Sequence, residues 1–229
     1  MYLCRRYSEN RFMLRKILVL VFLLSCGLHY GTSHSVRGVT GKEEAGRDSV
    51  ACMYHRMGLD GVVGWEAFQQ AVSGYEHIEG KKKEVLTLID FTQPSTAERL
   101  YLFDMKERKM MLTSLVAHGR NSGGNYATSF SNQAGSFKSS LGFYLTSTTY
   151  NGKNGYSLIL DGLEKGVNDN ARARAIVVHG APYANPSVVE QSGRLGRSLG
   201  CPALPEKTSR MIIDHIKGGS VLFIYGRDG

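Results

Sequence analysis

The 229-residue chain reads as a mainly β domain (α+β), an antiparallel β sandwich or barrel with a short helical piece at its front. Three observations predict this. Beyond residue 84 the chain breaks into short runs of Val, Ile, Leu, Phe, Tyr and Thr separated by turn signals. Two separators, DMKERK at 104–109 and NGKNG at 151–155, are short enough for hairpins, which favours antiparallel pairing over βαβ crossovers. The composition, 42% hydrophobic, 10% aromatic and 21% charged with 27 Gly and 5 Pro, can bury a core. It excludes disorder, collagen-like repeats and a disulfide-dense miniprotein.

Taken in order, residues 1–26 form a targeting segment. Arg5, Arg6, Arg11, Arg15 and Lys16 precede the uncharged run ILVLVFLL at 17–24. A spanning helix needs about 20 apolar residues, so this run is too short for one and suits the apolar core of a secretory signal. The chain is therefore expected to be exported. The formal net charge is +8, and removing the segment leaves 23 basic against 19 acidic residues. That residue is too small and too scattered to suggest a nucleic-acid partner. The segment ends LLSCG, which resembles the lipobox of bacterial lipoproteins; Cys26 is then either a lipidated membrane tether or an apolar residue lost with the signal. Residues 27–48 are polar and Gly-rich, a flexible tether.

Residues 49–83 form the helical front piece. Val50, Met53, Tyr54 and Met57 recur at helical spacing after Asp48 or Ser49 as cap, and Gly58 ends the run; Trp65, Phe68, Val72 and Tyr75 repeat the pattern. Such stripes are packing faces rather than a ligand box. Cys52 reads as a buried small residue of the first helix, a disulfide to Cys201 being the other reading, and EGKKKE at 79–84 as a solvated connector. The body, 84–229, contains the strands VLTLIDF (85–91), RLYLFDM (99–105), MLTSLVAH (111–118), LGFYLTSTTY (141–150), YSLILDGL (156–163) and AIVVHG (175–180). After Pro205, Met211, Ile212, His215 and Ile216 mark a helix closed by Gly218 and Gly219, and SVLFIYG is the last strand.

The chemistry concentrates at two places. The strand AIVV ends at His179-Gly180, and 22 residues after His179 comes Cys201 in SLGCP. A thiol nucleophile needs a base, which a histidine at a rigid strand end supplies. Gly200 permits a tight turn that aims the sulfur outward, and N–H groups around that turn are candidate oxyanion donors. The plain readings are a hydrogen-bonded structural histidine and a buried, inert thiol. His118, in VAHGRNSGG, is a second strand-end histidine. The glycines after it lack the Lys-Ser/Thr ending of a phosphate loop, and the serines at 136, 139 and 140 lack a nucleophile elbow. Cys4, Cys26, Cys52 and Cys201 contain no C-x-x-C pair, and a zinc site from His118, His179 and Cys201 lacks a fourth ligand, so no metal or cofactor is expected.

His-Gly at a strand end followed by Ser-x-Gly-Cys resembles the signature of the YkuD-like L,D-transpeptidases. DFTQPST (90–96), VAHGRNSG (116–123), FSNQAGSFKSSLGFY (130–144) and LDGLEKGVNDNARARAIVVHGAPY (160–183) are similar to the branch called murein L,D-transpeptidase catalytic domain proteins. The resemblance runs over roughly 50–229. It implies a cysteine acyl transferase of the cell envelope or periplasm acting on peptidoglycan stem peptides, sensitive to carbapenems. Cys201 would be its nucleophile, His179 its base, and Gly200 and Cys201 its oxyanion donors; Ser198, Gly180 and His118 would line the substrate. Where many relatives carry His and then Arg or Asn, Leu199 and Ala203 stand here. Arg194 and Arg197 are therefore the candidates for a stem carboxylate, which a guanidinium binds bidentately. A sortase-like transpeptidase, which wants Thr before the Cys, and a non-catalytic wall-binding module are the competing readings.

Overall fold

The computed structural model describes residues 49–228. Residues 53–228 belong to one compact unit. The signal, the tether and the lipidation at Cys26 lie outside the described residues. Residues 49–56 are helical (α1). Cys52, within it, is half-buried and disulfide-bonded, which corrects its reading as a buried small residue; Cys201 is a free thiol, so the two are not joined.

Helix α2 (Trp65–His77) buries Phe68, Ala71, Val72 and Tyr75, the stripe expected of an amphipathic helix on a sheet. A Cβ on Gly74 would fall 2.0 Å from the Phe143 ring, so the helix meets that ring at its one position without a side chain. Trp65 opens the helix 38% exposed and lies outside the stripe.

Eight strands form one sheet in the order β3-β2-β1-β8-β4-β5-β6-β7. They are β1 (Val85–Asp90), β2 (Leu100–Asp104), β3 (Lys109–Ser114), β4 (Gly142–Gly152), β5 (Gly155–Gly162), β6 (Val177–Gly180), β7 (Ala203–Leu204) and β8 (Val221–Tyr225). Both expected hairpins are present, closing at Asp104↔Lys109 and at Gly152↔Gly155. The sheet is mixed, however, because β1 pairs parallel with β8 and β6 parallel with β7. Local turn signals reveal hairpin partners but say nothing of β1 and β8, which lie 135 residues apart at Leu86↔Val221, and the all-buried β8 is what a central strand looks like. The bridge Ala117↔Ala203 joins the chain beyond β3 to β7 at the opposite edge, so the sheet nearly closes into a barrel.

The core takes Leu100 and Leu102 from β2, Leu158 and Leu160 from β5, and Leu222 and Ile224 from β8. Ile212, Ile213 and Ile216 of helix α4 (Glu206–Ile216) cap it. Each such side chain contributes roughly 1.5–3 kcal/mol by leaving water. Between β6 and β7 stand a 3₁₀ turn (Pro182–Ala184) and helix α3 (Pro186–Ser192), neither evident in the sequence; α3 is seven residues long and buries none of them, so it has no stripe to read.

Candidate active site

Strand β6 carries His179 between two neighbours, opposite Ser157 of β5 and Ala203 of β7. Cys201 enters β7 two residues before Ala203, and the carbonyl of the intervening Pro202 accepts from the His179 N–H at 3.5 Å. Both groups are buried, His179 at 4% and Cys201 at 8% exposure. His179 Nδ1 lies 2.9 Å from the carbonyl oxygen of Gly180 and donates to it, which leaves Nε2 as the basic nitrogen. Burial holds His179 below its ordinary value, so it is neutral at pH 7.

The Cys201 sulfur lies 3.7 Å from the Ala175 carbonyl, toward which its S–H points. Burial pushes the thiol up, while the Val177 N–H and the Arg174 guanidinium pull it down. The resting pair is therefore a neutral thiol and a neutral imidazole, and thiolate has to be made by proton transfer rather than drawn from a standing ion pair.

The turn before the nucleophile is built by backbone fit. Gly200 has φ +127, and a Cβ there would stand 2.8 Å from the Lys138 carbonyl oxygen and 3.0 Å from Ile176. Gly119 faces it: a Cβ on Gly119 would be 3.0 Å from the Gly200 Cα. Ser198, buried, shapes the turn: its hydroxyl accepts from the Gly200 N–H at 3.0 Å and donates to the Cys201 carbonyl at 2.6 Å. The Gly200 amide is thus committed within the turn. The Cys201 N–H has no hydrogen-bond partner among the described residues, which leaves it as the donor available to a ligand.

His118 is completely buried and offers no surface to a ligand. Arg99 donates to its Nδ1 at 2.8 Å, and its Nε2 faces the Gly123 carbonyl at 3.3 Å. Burial and then the Arg99 charge press its pKa down to about 4. Its backbone carbonyl accepts the Ser198 N–H, so it supports the Cys201 loop from behind. Arg197 donates to the Gly123 carbonyl and Arg194 to that of Leu195. Gly180 packs on α4, where a Cβ would meet Ser209 Oγ at 2.5 Å. Leu199, 57% exposed, is the apolar surface beside the nucleophile, and Ala203 is buried. An open pocket lined by Tyr150, Ile159, Arg172, Ala175, Ile176 and Val177 shares Ala175 and Val177 with the surroundings of the sulfur.

Sequence reasoning passed over two arginines. Arg99 is wholly buried, donating to the carbonyls of Val116 and Gln93 as well as to His118, and burial lowers it to about 9. Opening the run RLYLFDM just before β2, it looks like an ordinary solvated charge. Arg174 sits in ARARA, within a turn, where Arg172 faces out to Asp161 while Arg174 turns in; nothing in the repeat distinguishes the two. Among the described residues no three metal-ligating side chains gather.

The chain belongs to the L,D-transpeptidase catalytic domain family, whose profile matches residues 60–225. A search of curated protein sequences finds no match. Among solved structures it is similar to an L,D-transpeptidase from Stackebrandtia nassauensis, with 16% identity, a TM-score of 0.39, and 87% of this chain and 85% of that one covered. It is also similar to an L,D-transpeptidase from Mycobacterium smegmatis (14% identity, TM-score 0.39, 62% and 59% covered). The helical cell shape determining protein Pgp2 from Campylobacter jejuni is a third (14%, 0.43, 65% and 50%). The chain thus spans about three fifths of the M. smegmatis protein. The structure of LdtMt1 was solved in complex with imipenem.

Proposed function

We propose that this protein is a cysteine acyl transferase of the cell envelope acting on peptidoglycan stem peptides, with Cys201 as nucleophile and His179 as base. One observation carries the reading. In a chain of this family, a free thiol is held by a fitted turn at the end of a strand that adjoins a neutral histidine whose Nε2 is the basic nitrogen.

In the first step His179 Nε2 takes the thiol proton as Cys201 Sγ attacks the carbonyl of the third, diamino-acid residue of a tetrapeptide stem. The Cys201 N–H holds the oxyanion. As the peptide bond breaks, His179 returns the proton to the leaving amine, and D-Ala departs. An amine of a second stem then attacks the thioester, passing its proton to His179, and the thiolate leaves; water in that position gives hydrolysis. The thioester conserves the energy of the cleaved amide, so the exchange needs no cofactor. Arg194 and Arg197 each commit a nitrogen to a backbone carbonyl and keep further N–H groups for a stem carboxylate. Ser198, Gly180 and His118 act by holding the turn, the helix contact and the loop.

Export by the 1–26 signal delivers the enzyme to a periplasm, with Cys26 as the candidate lipid tether. The test is D-Ala release from tetrapeptide muropeptides by the purified protein and its Cys201→Ala variant. Release by the first and none by the second is the expected result, together with a carbapenem adduct on the unsubstituted protein alone. A folded protein with a titratable Cys201 thiol that releases no D-Ala and takes no carbapenem would be a wall-binding module instead.

A further inference from the structure

We infer that Arg174 is a positioning residue of this site: its guanidinium pins the 131–140 loop to the Gly200–Cys201 turn and holds a positive charge against that turn. The inference rests on the thiol reading of Cys201 given above and concerns how its thiolate is made.

Arg174 closes the turn of residues 170–175 that leads into β6, its N–H bonded to the Asn170 carbonyl at 2.8 Å. The next residue, Ala175, has φ +54 and turns its carbonyl to the Cys201 sulfur. One turn therefore delivers both the guanidinium and a contact of the sulfur. Nη1 donates to the Ser131 carbonyl at 2.7 Å and to Ser140 Oγ at 3.2 Å. Nη2 donates to the Lys138 carbonyl at 2.6 Å and to Ser136 Oγ at 3.4 Å. The Lys138 carbonyl is also the atom that a Gly200 Cβ would strike, and Arg174 Nη2 would stand 3.3 Å from the same Cβ. The guanidinium, the loop and the turn are in contact.

Every acceptor of Arg174 is neutral, and none is a carboxylate. A half-buried cation without an anion is costly, and neutral donors would close a loop at less expense. Arg172, two residues earlier, shows the ordinary alternative: exposed, and held at 2.5 and 2.9 Å by the two Asp161 oxygens. The anion that suits Arg174 is the one the reaction creates, the Cys201 thiolate. The titratable groups on the neighbouring elements do not replace it. His179 on β6 is held neutral, and Tyr183 on the 3₁₀ turn is pushed up to about 12 by burial and then by Cys201 itself, so it carries no charge at working pH. The Val177 N–H contributes a dipole only.

The test reads the thiol without any substrate. The rate of Cys201 alkylation by iodoacetamide is followed against pH by mass spectrometry for the unsubstituted protein, Arg174→Gln, Arg174→Lys and an exposed control, Lys207→Gln. Losing the charge is expected to raise the midpoint by about one pH unit in Arg174→Gln, a tenfold loss of thiolate below the midpoint. Arg174→Lys keeps the charge and should stay within about half a unit, while both variants slow muropeptide acylation because the fork is gone. Lys207→Gln should not move. A midpoint unchanged in a folded Arg174→Gln protein overturns the inference. So does an Arg174→Lys midpoint displaced by a full unit, whether or not the Gln variant folds. Failure of the transpeptidase reading would leave these alkylation profiles as predicted and appear only in the muropeptide assay.

Discussion

Replacing Gly200 by Ala tests the fit of the nucleophile turn most sharply. The added Cβ meets two obstacles. The backbone at φ +127 is one that side chains avoid, a cost of about 1–3 kcal/mol. The methyl also sits 2.8 Å from the Lys138 carbonyl oxygen, a backbone atom that Arg174 holds in place. Overpacking of this kind adds roughly 1–3 kcal/mol. At about 2–4 °C per kcal/mol for a domain this size, the sum of roughly 2–6 kcal/mol lowers the melting temperature by about 4–24 °C. The thiol moves with the turn, and a displacement approaching 1 Å costs about a hundredfold in acylation rate. Gly193→Ala is the matched control. Gly193 has φ +70 but nothing within 4 Å of a Cβ, so it suffers backbone strain alone, about 1–2 kcal/mol, and keeps its acylation rate. Thermal melts and single-turnover acylation of both variants decide the matter. A Gly200→Ala protein that melts and acylates like the unsubstituted one would refute the reasoning, as would equal losses in the two variants.

Four further expectations concern the histidines and a buried tyrosine. His179→Ala should cut Cys201 acylation by about 10²–10⁴-fold with little change in melting temperature, and normal acylation would mean the base is elsewhere. Because burial holds His179 below its ordinary value, the acid limb of the acylation profile should bend below pH 6.5; a bend above it contradicts the assigned environment. His118 has a folded pKa of about 4, so the folded state binds fewer protons than the unfolded one, and its contribution is present above pH 6.5 and lost as pH falls toward 4. That is at most about 3 kcal/mol, and urea midpoints at pH 7.5 and 4.5 should differ less in His118→Gln than in the unsubstituted protein. Tyr144 is fully buried with its hydroxyl bonded to Ser140, so Tyr144→Phe should cost about 1 kcal/mol, read as a lowered urea midpoint; no change would show that bond to be worthless.

The sequence and the structure agree where local pattern decides the outcome. The hairpins at 104–109 and 151–155, the α2 stripe and the α4 helix with its glycine stop all follow from spacing and turn chemistry. What escaped the sequence depends on partners far along the chain. Nothing in SVLFIYG says that it pairs parallel with β1, and nothing in the two residues Ala203 and Leu204 says strand. At the site, His179 and Cys201 were legible as strand-end histidine and turn thiol, and the family motif added their order. Ser198 and Gly200 were legible as residue types, but that the serine hydroxyl occupies the Gly200 amide appears only from the folded turn. Arg99 and Arg174 were illegible because an arginine bonded to carbonyl oxygens carries no sequence mark.

The central claim is that Cys201 becomes acylated by a stem peptide with His179 as its base. The most direct measurement is the mass of the Cys201 peptide after brief incubation with a tetrapeptide muropeptide and acid quench. A tripeptide-stem thioester on that cysteine, cleaved by hydroxylamine and missing in His179→Ala, is the expected result. An unmodified Cys201 peptide alongside released D-Ala, or an adduct that forms equally well without His179, would contradict it.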